Sequence, residues 1–124
     1  MEDVQFTEAF FRFLQTNIPS VDAAEVLLLL YRNAERDWSP ADVLARLGPV
    51  LSEGEVLKIL QDFRAKGLLT ETFRYQPGAP ELSGHVKTLA TAYEERPVTL
   101  FRLIYALRQT GLQALAEAFR IRRS

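Results

Sequence analysis

Apolar residues recur at helical spacing along most of the chain, and the places where that spacing fails mark its joints. Phe6, Phe10, Phe13 and Leu14 predict an amphipathic helix over 4–17, with Phe11 off the stripe. Pro19-Ser20 closes it, and Ser20 is placed to cap a following helix near 21–36. That second segment is apolar nearly all round at 27–30, as a central core helix is.

Two short segments then open with the same cap chemistry. Ser39 stands before Pro40, whose missing N–H costs nothing at a first helical position, and Asp42 can complete a capping box. The predicted helix 40–47 ends at Gly48-Pro49. Ser52 begins the next helix, with Glu55 as the reciprocal partner three residues on. Trp38 with Val43, and Leu51 with Val56, flank the two caps as hydrophobic staples. Val56, Ile59, Leu60 and Phe63 keep the helical period until Gly67, which can take the left-handed conformation that closes a helix.

The pattern changes after Gly67. Residues 68–75 are rich in β-formers and predict a strand. The run 76–80, Gln-Pro-Gly-Ala-Pro, is turn chemistry, with a very short return strand expected near Glu81-Leu82. Ser83 can cap a further helix with Val86, Leu89, Ala90 and Tyr93 as its buried stripe. Pro97 should interrupt that helix, and Val98, Phe101, Leu103, Ile104, Tyr105 and Leu107 continue beyond it. Leu112, Leu115, Ala116 and Phe119 predict one last short helix, leading to Arg120-Ile121-Arg122-Arg123.

Composition changes this picture in few places. At 124 residues and 48% apolar, a single domain with a real core is expected: a core over 20–82 with helical extensions at 1–19 and 83–124. Net charge is −1, but residues 1–50 hold eight acids against four arginines, while 96–124 hold six arginines against Glu117 alone. Such asymmetry marks either an interaction surface or a solvated tail. There is no cysteine, which excludes disulfides, thiolate metal clusters and thiol catalysis and fits a reducing, cytoplasmic setting. The start Met-Glu-Asp lacks the basic and apolar runs of a signal peptide, and no apolar run is long enough to span a bilayer. No membrane partner is expected.

Residues 20–82 resemble the winged helix-turn-helix family in element order, in the two serine-capped helices, and in the exit Lys66-Gly67-Leu68-Leu69 into a wing. Helices before and after that core resemble the build of MarR-like regulators. The segments 91–98 with 103–105, and 116–120, resemble small bacterial proteins of unassigned function. The resemblance implies a mainly α fold, a winged helix-turn-helix core with a β-hairpin wing and flanking helices. It implies a bacterial DNA-binding transcriptional regulator, acting as a homodimer, whose third helix enters the major groove.

The residues themselves leave two function classes open. Lys58 and Gln61 could read bases, and Arg74 and Tyr75 at the wing could approach a minor groove. Glu53 and Asp62 would repel phosphates, and over 51–75 the acids Glu53, Glu55, Asp62 and Glu71 cancel Lys58, Arg64, Lys66 and Arg74. DNA binding, if any, should then be weak. The alternative is a winged-helix adaptor that binds protein and not DNA. Phe6, Phe10, Phe13, Phe101, Ile104 and Tyr105 are a surplus of large apolar groups near the ends of a small chain and are expected in a dimer interface. No enzyme is expected: His85 is the only histidine, with no partner acid or base in its pattern, and the scattered glycines make no phosphate loop. No metal or cofactor is expected either.

Overall fold

The computed structural model describes residues 6–110. Six α-helices account for its regular structure: α1 (Glu8–Asn17), α2 (Val21–Arg32), α3 (Pro40–Leu47), α4 (Glu53–Ala65), α5 (Pro80–Glu95) and α6 (Pro97–Thr110). The segment predicted to be helical beyond Gly111 lies outside the described residues. The described residues fall into two compact units, one comprising 22–83 and the other 6–21 with 84–110.

In the central unit the caps form as their sequences dictate. The Ser39 hydroxyl accepts from the Asp42 amide at 3.1 Å while the Asp42 carboxylate accepts from the Ser39 amide at 3.2 Å. Ser52 and Glu55 repeat the arrangement at 3.1 and 2.8 Å. Each pair satisfies two backbone donors that a helix start would otherwise leave open. Both carboxylates accept from donors, and the Ser52 amide and hydroxyl hold the Glu55 carboxyl below its usual range. α3 and α4 pack together. The core of this unit is built on apolar side chains: Ala24, Val26, Leu27, Leu30, Val43, Val56, Leu60, Phe63 and Leu68 are sealed from solvent. Each such Leu or Phe stabilises the fold by about 1.5–3 kcal/mol through burial. α2 stops at Arg32, short of the expected 36, because Asn33 turns back on it. The Asn33 amide donates to the Leu30 carbonyl at 3.1 Å, and its side chain to Leu29 at 2.8 Å.

The wing is not there. Among the described residues there is no β-strand, and 68–76 makes a single antiparallel bridge, between Leu69 and Tyr75. The reversal falls at 70–74, not at 76–80. The Thr70 amide donates to the Arg74 carbonyl at 2.9 Å, and the Phe73 amide to Thr70 at 3.0 Å. Phe73 closes this turn with φ 60°, a left-handed conformation rare for a bulky side chain. The return arm goes on bonding only at isolated points, the Gln76 amide to the Leu68 carbonyl at 3.0 Å and the Gly78 amide to Gly67 at 2.9 Å; Pro77 and Pro80 have no N–H to add, and Pro80 already opens α5. Glu81-Leu82, the expected return strand, lies in the first turn of α5, and Ser83 stands inside that helix, not at its cap. Pro80 is the residue that starts it, in the position where proline is favoured.

The other unit holds α1 packed on α6, with most of α5. Thr7 caps α1 by accepting from the Phe10 amide at 3.1 Å. α5 ends at Glu95 and α6 restarts at Pro97, as the proline requires. Phe10, Phe11, Phe13 and Leu14 are buried here with Val86, Leu89, Leu100, Leu103 and Ile104.

Candidate interaction surface

The DNA reading depended on the wing, and its absence overturns that reading. The winged-helix and MarR-like resemblance, the DNA-binding regulator, the winged-helix adaptor and DNA as a partner are all corrected by the same finding: no β-hairpin follows α4. Arg74 is not displayed at a wing tip either. Its Nε donates to Asp37 Oδ1 at 3.0 Å, and the Thr72 hydroxyl donates to the same oxygen at 2.8 Å. The Trp38 amide donates to the Thr72 carbonyl at 3.3 Å, so the 70–74 turn is tied down against 37–38. Tyr75 lies edge-on to Tyr31, with ring centroids 5.3 Å apart. Burial pushes its phenol up to about 12, while the Ser83 hydroxyl pulls weakly the other way. Ser83 does not reach hydrogen-bond geometry, so the enclosed Tyr75 hydroxyl has no partner among the described residues.

The remaining sequence-predicted residues scatter. Glu53, Lys58 and Gln61 are exposed on α4. Asp62 is half-buried and accepts from Lys66 Nζ at 2.9 Å, one turn along the same helix. Of the expected interface residues, Phe10, Phe13 and Ile104 are buried within the chain itself. Phe6 stacks on Phe10 at 5.5 Å, and Phe101 meets Tyr93 edge-on at 5.7 Å. Tyr105 alone of the six stands well out, at 66% exposed. His85 is half-buried against the rings of Phe13 (5.2 Å) and Phe10 (6.2 Å).

Trp38 is a structural pin. It is 4% exposed, with the Arg36 guanidinium 4.0 Å and the Arg46 guanidinium 5.6 Å from its ring. Arg36 is held in turn by Asp42 at 3.0 Å. The indole N–H has no acceptor among the described residues.

What the sequence pattern missed is a corner of the central unit where apolar groups face outward. Val50, in the connection between α3 and α4, is 74% exposed and lines a notch there; Leu57, on α4 and not in that lining, is 37% exposed. Gly48 makes this corner possible. Its φ of 89° and ψ of 178° belong to a region that essentially only glycine occupies, and it turns the chain out of α3. A notch of about 20 Å³ opens beside it, floored by Leu44, Leu47, Val50 and Leu51 and edged by Asp22 and Glu25. That volume is far below the roughly 300–1,000 Å³ of a cofactor pocket and suits the tip of one side chain. Leu57 carried a signal in the sequence: it falls outside the Val56, Leu60 and Phe63 stripe and so had to face elsewhere.

Among the described residues no group of three or more His, Asp or Glu side chains could hold a metal ion, and no helix is long and apolar enough to cross a membrane. Compared with family models, curated proteins and solved structures, the chain matches none.

Proposed function

We propose that this chain is a non-enzymatic, helical protein-binding module that docks a partner on the α3–α4 corner. The observation that carries the reading is Val50, a β-branched residue 74% exposed beside a notch lined by Leu44, Leu47 and Leu51. An isolated exposed apolar residue needs no explanation; here Val50 is continuous with the leucine floor of the notch, which gives a partner side chain one small apolar surface to cover. Two capped helices and a glycine-only turn hold it rigidly, so little conformational entropy is lost on docking. The absence of cysteine suits a reducing compartment, and we place the module in the cytoplasm.

Replacing Val50 and Leu57 together by Ser tests the reading. Both are at the surface, so the melting temperature should hold within a few degrees. Proteins cross-linked to the chain in its own cells, quantified by mass spectrometry, should include at least one depleted about tenfold in the variant, the equivalent of about 1.4 kcal/mol. An unchanged cross-linking profile would remove the proposal.

A further inference from the structure

The geometry points to a second docking surface, on the outer strip of α6 around Tyr105. It takes an acidic segment of a partner protein, with one aliphatic side chain of that segment seated in the groove beside Tyr105. The strip lies in the unit formed by 6–21 with 84–110 and is independent of the α3–α4 corner.

Helical spacing builds the strip. Arg102, Tyr105 and Arg108 stand three residues apart on α6, so the tyrosine has an arginine as its surface neighbour on either side. Tyr105 is 66% exposed, whereas Ile104 next to it is buried. α6 carries these two arginines and no acid. Arg102 has no ion pair or hydrogen bond among the described residues. Arg108 donates to the Pro19 carbonyl at 3.2 Å, and a guanidinium has further N–H groups to offer. That bond ties α6 to the segment 19–21. A groove of about 80 Å³ opens there, lined by Pro19, Ser20, Val21, Ile104, Tyr105 and Arg108. A single water needs roughly 10–15 Å³, so the groove has room for an aliphatic side chain.

Scattered exposed apolar groups and solvated arginines are ordinary surface, which would account for Tyr105 and Arg102 taken singly. It does not account for a largely apolar groove whose charged lining group is a cation, continued along the helix by a second cation. No acidic side chain lines the groove. Asp22, next after Val21, lines the notch of the other unit, and Glu94 and Glu95 precede the opposite end of α6. Charge complementarity therefore selects a carboxylate-bearing segment, and an arginine-bearing one would meet like charges. Two arginines neutralise few phosphates, so a nucleic acid gains little here. One tyrosine between two arginines also falls short of the two signals that stable membrane anchoring takes.

Four synthetic decapeptides test the inference in the full chain. One carries a leucine flanked by glutamates, one a leucine flanked by glutamines, one a leucine flanked by arginines, and one a serine flanked by glutamates. Binding is read from the Val21 and Ile104 methyl resonances and the Tyr105 ring resonances. The glutamate–leucine peptide should shift them saturably. The glutamine peptide should bind about threefold to tenfold more weakly, as expected for two exposed ion pairs, and the other two more weakly still. The gap between glutamate and glutamine peptides should shrink in about 0.5 M salt. It should shrink also in Arg102→Gln, which has no bond to lose and should melt as the parent does. Equal binding of the three leucine peptides would overturn the acidic-partner inference, as would a glutamate preference that Arg102→Gln leaves unchanged. If no peptide moves these resonances, the docking strip itself fails. Capture of the chain by phosphatidylserine vesicles that Tyr105→Ser abolishes would then assign the strip to a membrane, and concentration-dependent shifts in the chain alone would assign it to a second copy.

Discussion

Asp37 and Arg74 are joined by a hydrogen-bonded ion pair, Arg74 Nε donating to Asp37 Oδ1 at 3.0 Å, although 37 positions separate them in the chain. The Thr72 hydroxyl donates to the same oxygen at 2.8 Å. These bonds hold the 70–74 turn against the segment before α3. They convert an arginine that looked available to a nucleic acid into a fastening of the fold.

The first prediction concerns that carboxylate. The Thr72 hydroxyl is the largest single influence holding Asp37 below its ordinary 3.8; burial opposes it, and Arg74 adds both a hydrogen bond and its charge. Thr72→Val and Arg74→Gln should therefore each raise the Asp37 pKa, read by carboxyl-carbon NMR. Because the folded value is depressed, the contribution to stability is present above pH 3.8 and is lost as pH falls through the folded value. An unchanged Asp37 pKa in either variant would contradict the assignment.

Tyr75 predicts the opposite limb of the pH profile. Its phenol ionises at about 12 in the fold, against an ordinary 10.0. Below pH 10 both folded and unfolded chains keep it neutral, and its contribution is complete. Between 10 and about 12 the unfolded chain releases the proton first, so stability falls as pH rises. Tyr75→Phe should remove that part of the alkaline loss in denaturant titrations at pH 9 to 11.5. It also removes an unpaired buried hydroxyl, so neutral-pH stability should stay level or rise slightly.

Phe73 holds φ 60° with its ring 5.1 Å from the Arg64 guanidinium. Phe73→Ala keeps the strained backbone and loses the ring, whereas Phe73→Gly loses the ring and relaxes the strain. Left-handed geometry costs a non-glycine residue about 1–2 kcal/mol, partly offset by the greater freedom of glycine when unfolded, about 0.4–1 kcal/mol. The glycine variant should thus be the more stable of the two by chemical denaturation. The reverse order would show that the turn relaxes when Phe is removed.

The helix starts and stops set the local energetics. Ser52→Ala should cost about 1 kcal/mol by removing one half of the capping box at α4. Gly67→Ala should cost a similar amount from backbone alone, since φ is 83° and nothing lies within 4 Å of an added Cβ. Leu60→Ala, in the sealed core, should cost about 2–5 kcal/mol. Thermal and urea unfolding would rank the three.

The helices were legible in the sequence where the determinant is local. The Ser39–Asp42 and Ser52–Glu55 boxes, the positive φ of Gly67 and the restart at Pro97 follow from contacts within a few residues, and all are present. The mainly helical class follows from the same periodicities. The wing failed because β-propensity reports how side chains fit a pleated surface, and that depends on a partner strand. Residues 68–75 have the composition of a strand but spend Leu68 and Leu69 in the core and 70–74 in a tight turn. Pro77 and Pro80, taken as a wing tip, donate nothing, the Gln76 and Gly78 amides bond only singly to Leu68 and Gly67, and Pro80 with Glu81 was a helix start overlooked. The docking corner was not legible, because Val50 belongs to no periodic stripe. Its exposure is set by the backbone at Gly48 and by the packing of α3 on α4.

The central claim is that a partner protein seats on the α3–α4 corner, and site-specific photocross-linking in living cells tests it most directly. A benzophenone side chain replaces Val50 in one variant and Lys87, an exposed residue of the other unit, in a second. The account predicts a discrete protein adduct from position 50 that is absent from position 87 and is lost when Leu47 is also changed to Asp in a chain that still melts cooperatively. No adduct from position 50, or adducts of equal strength from both positions, would contradict it.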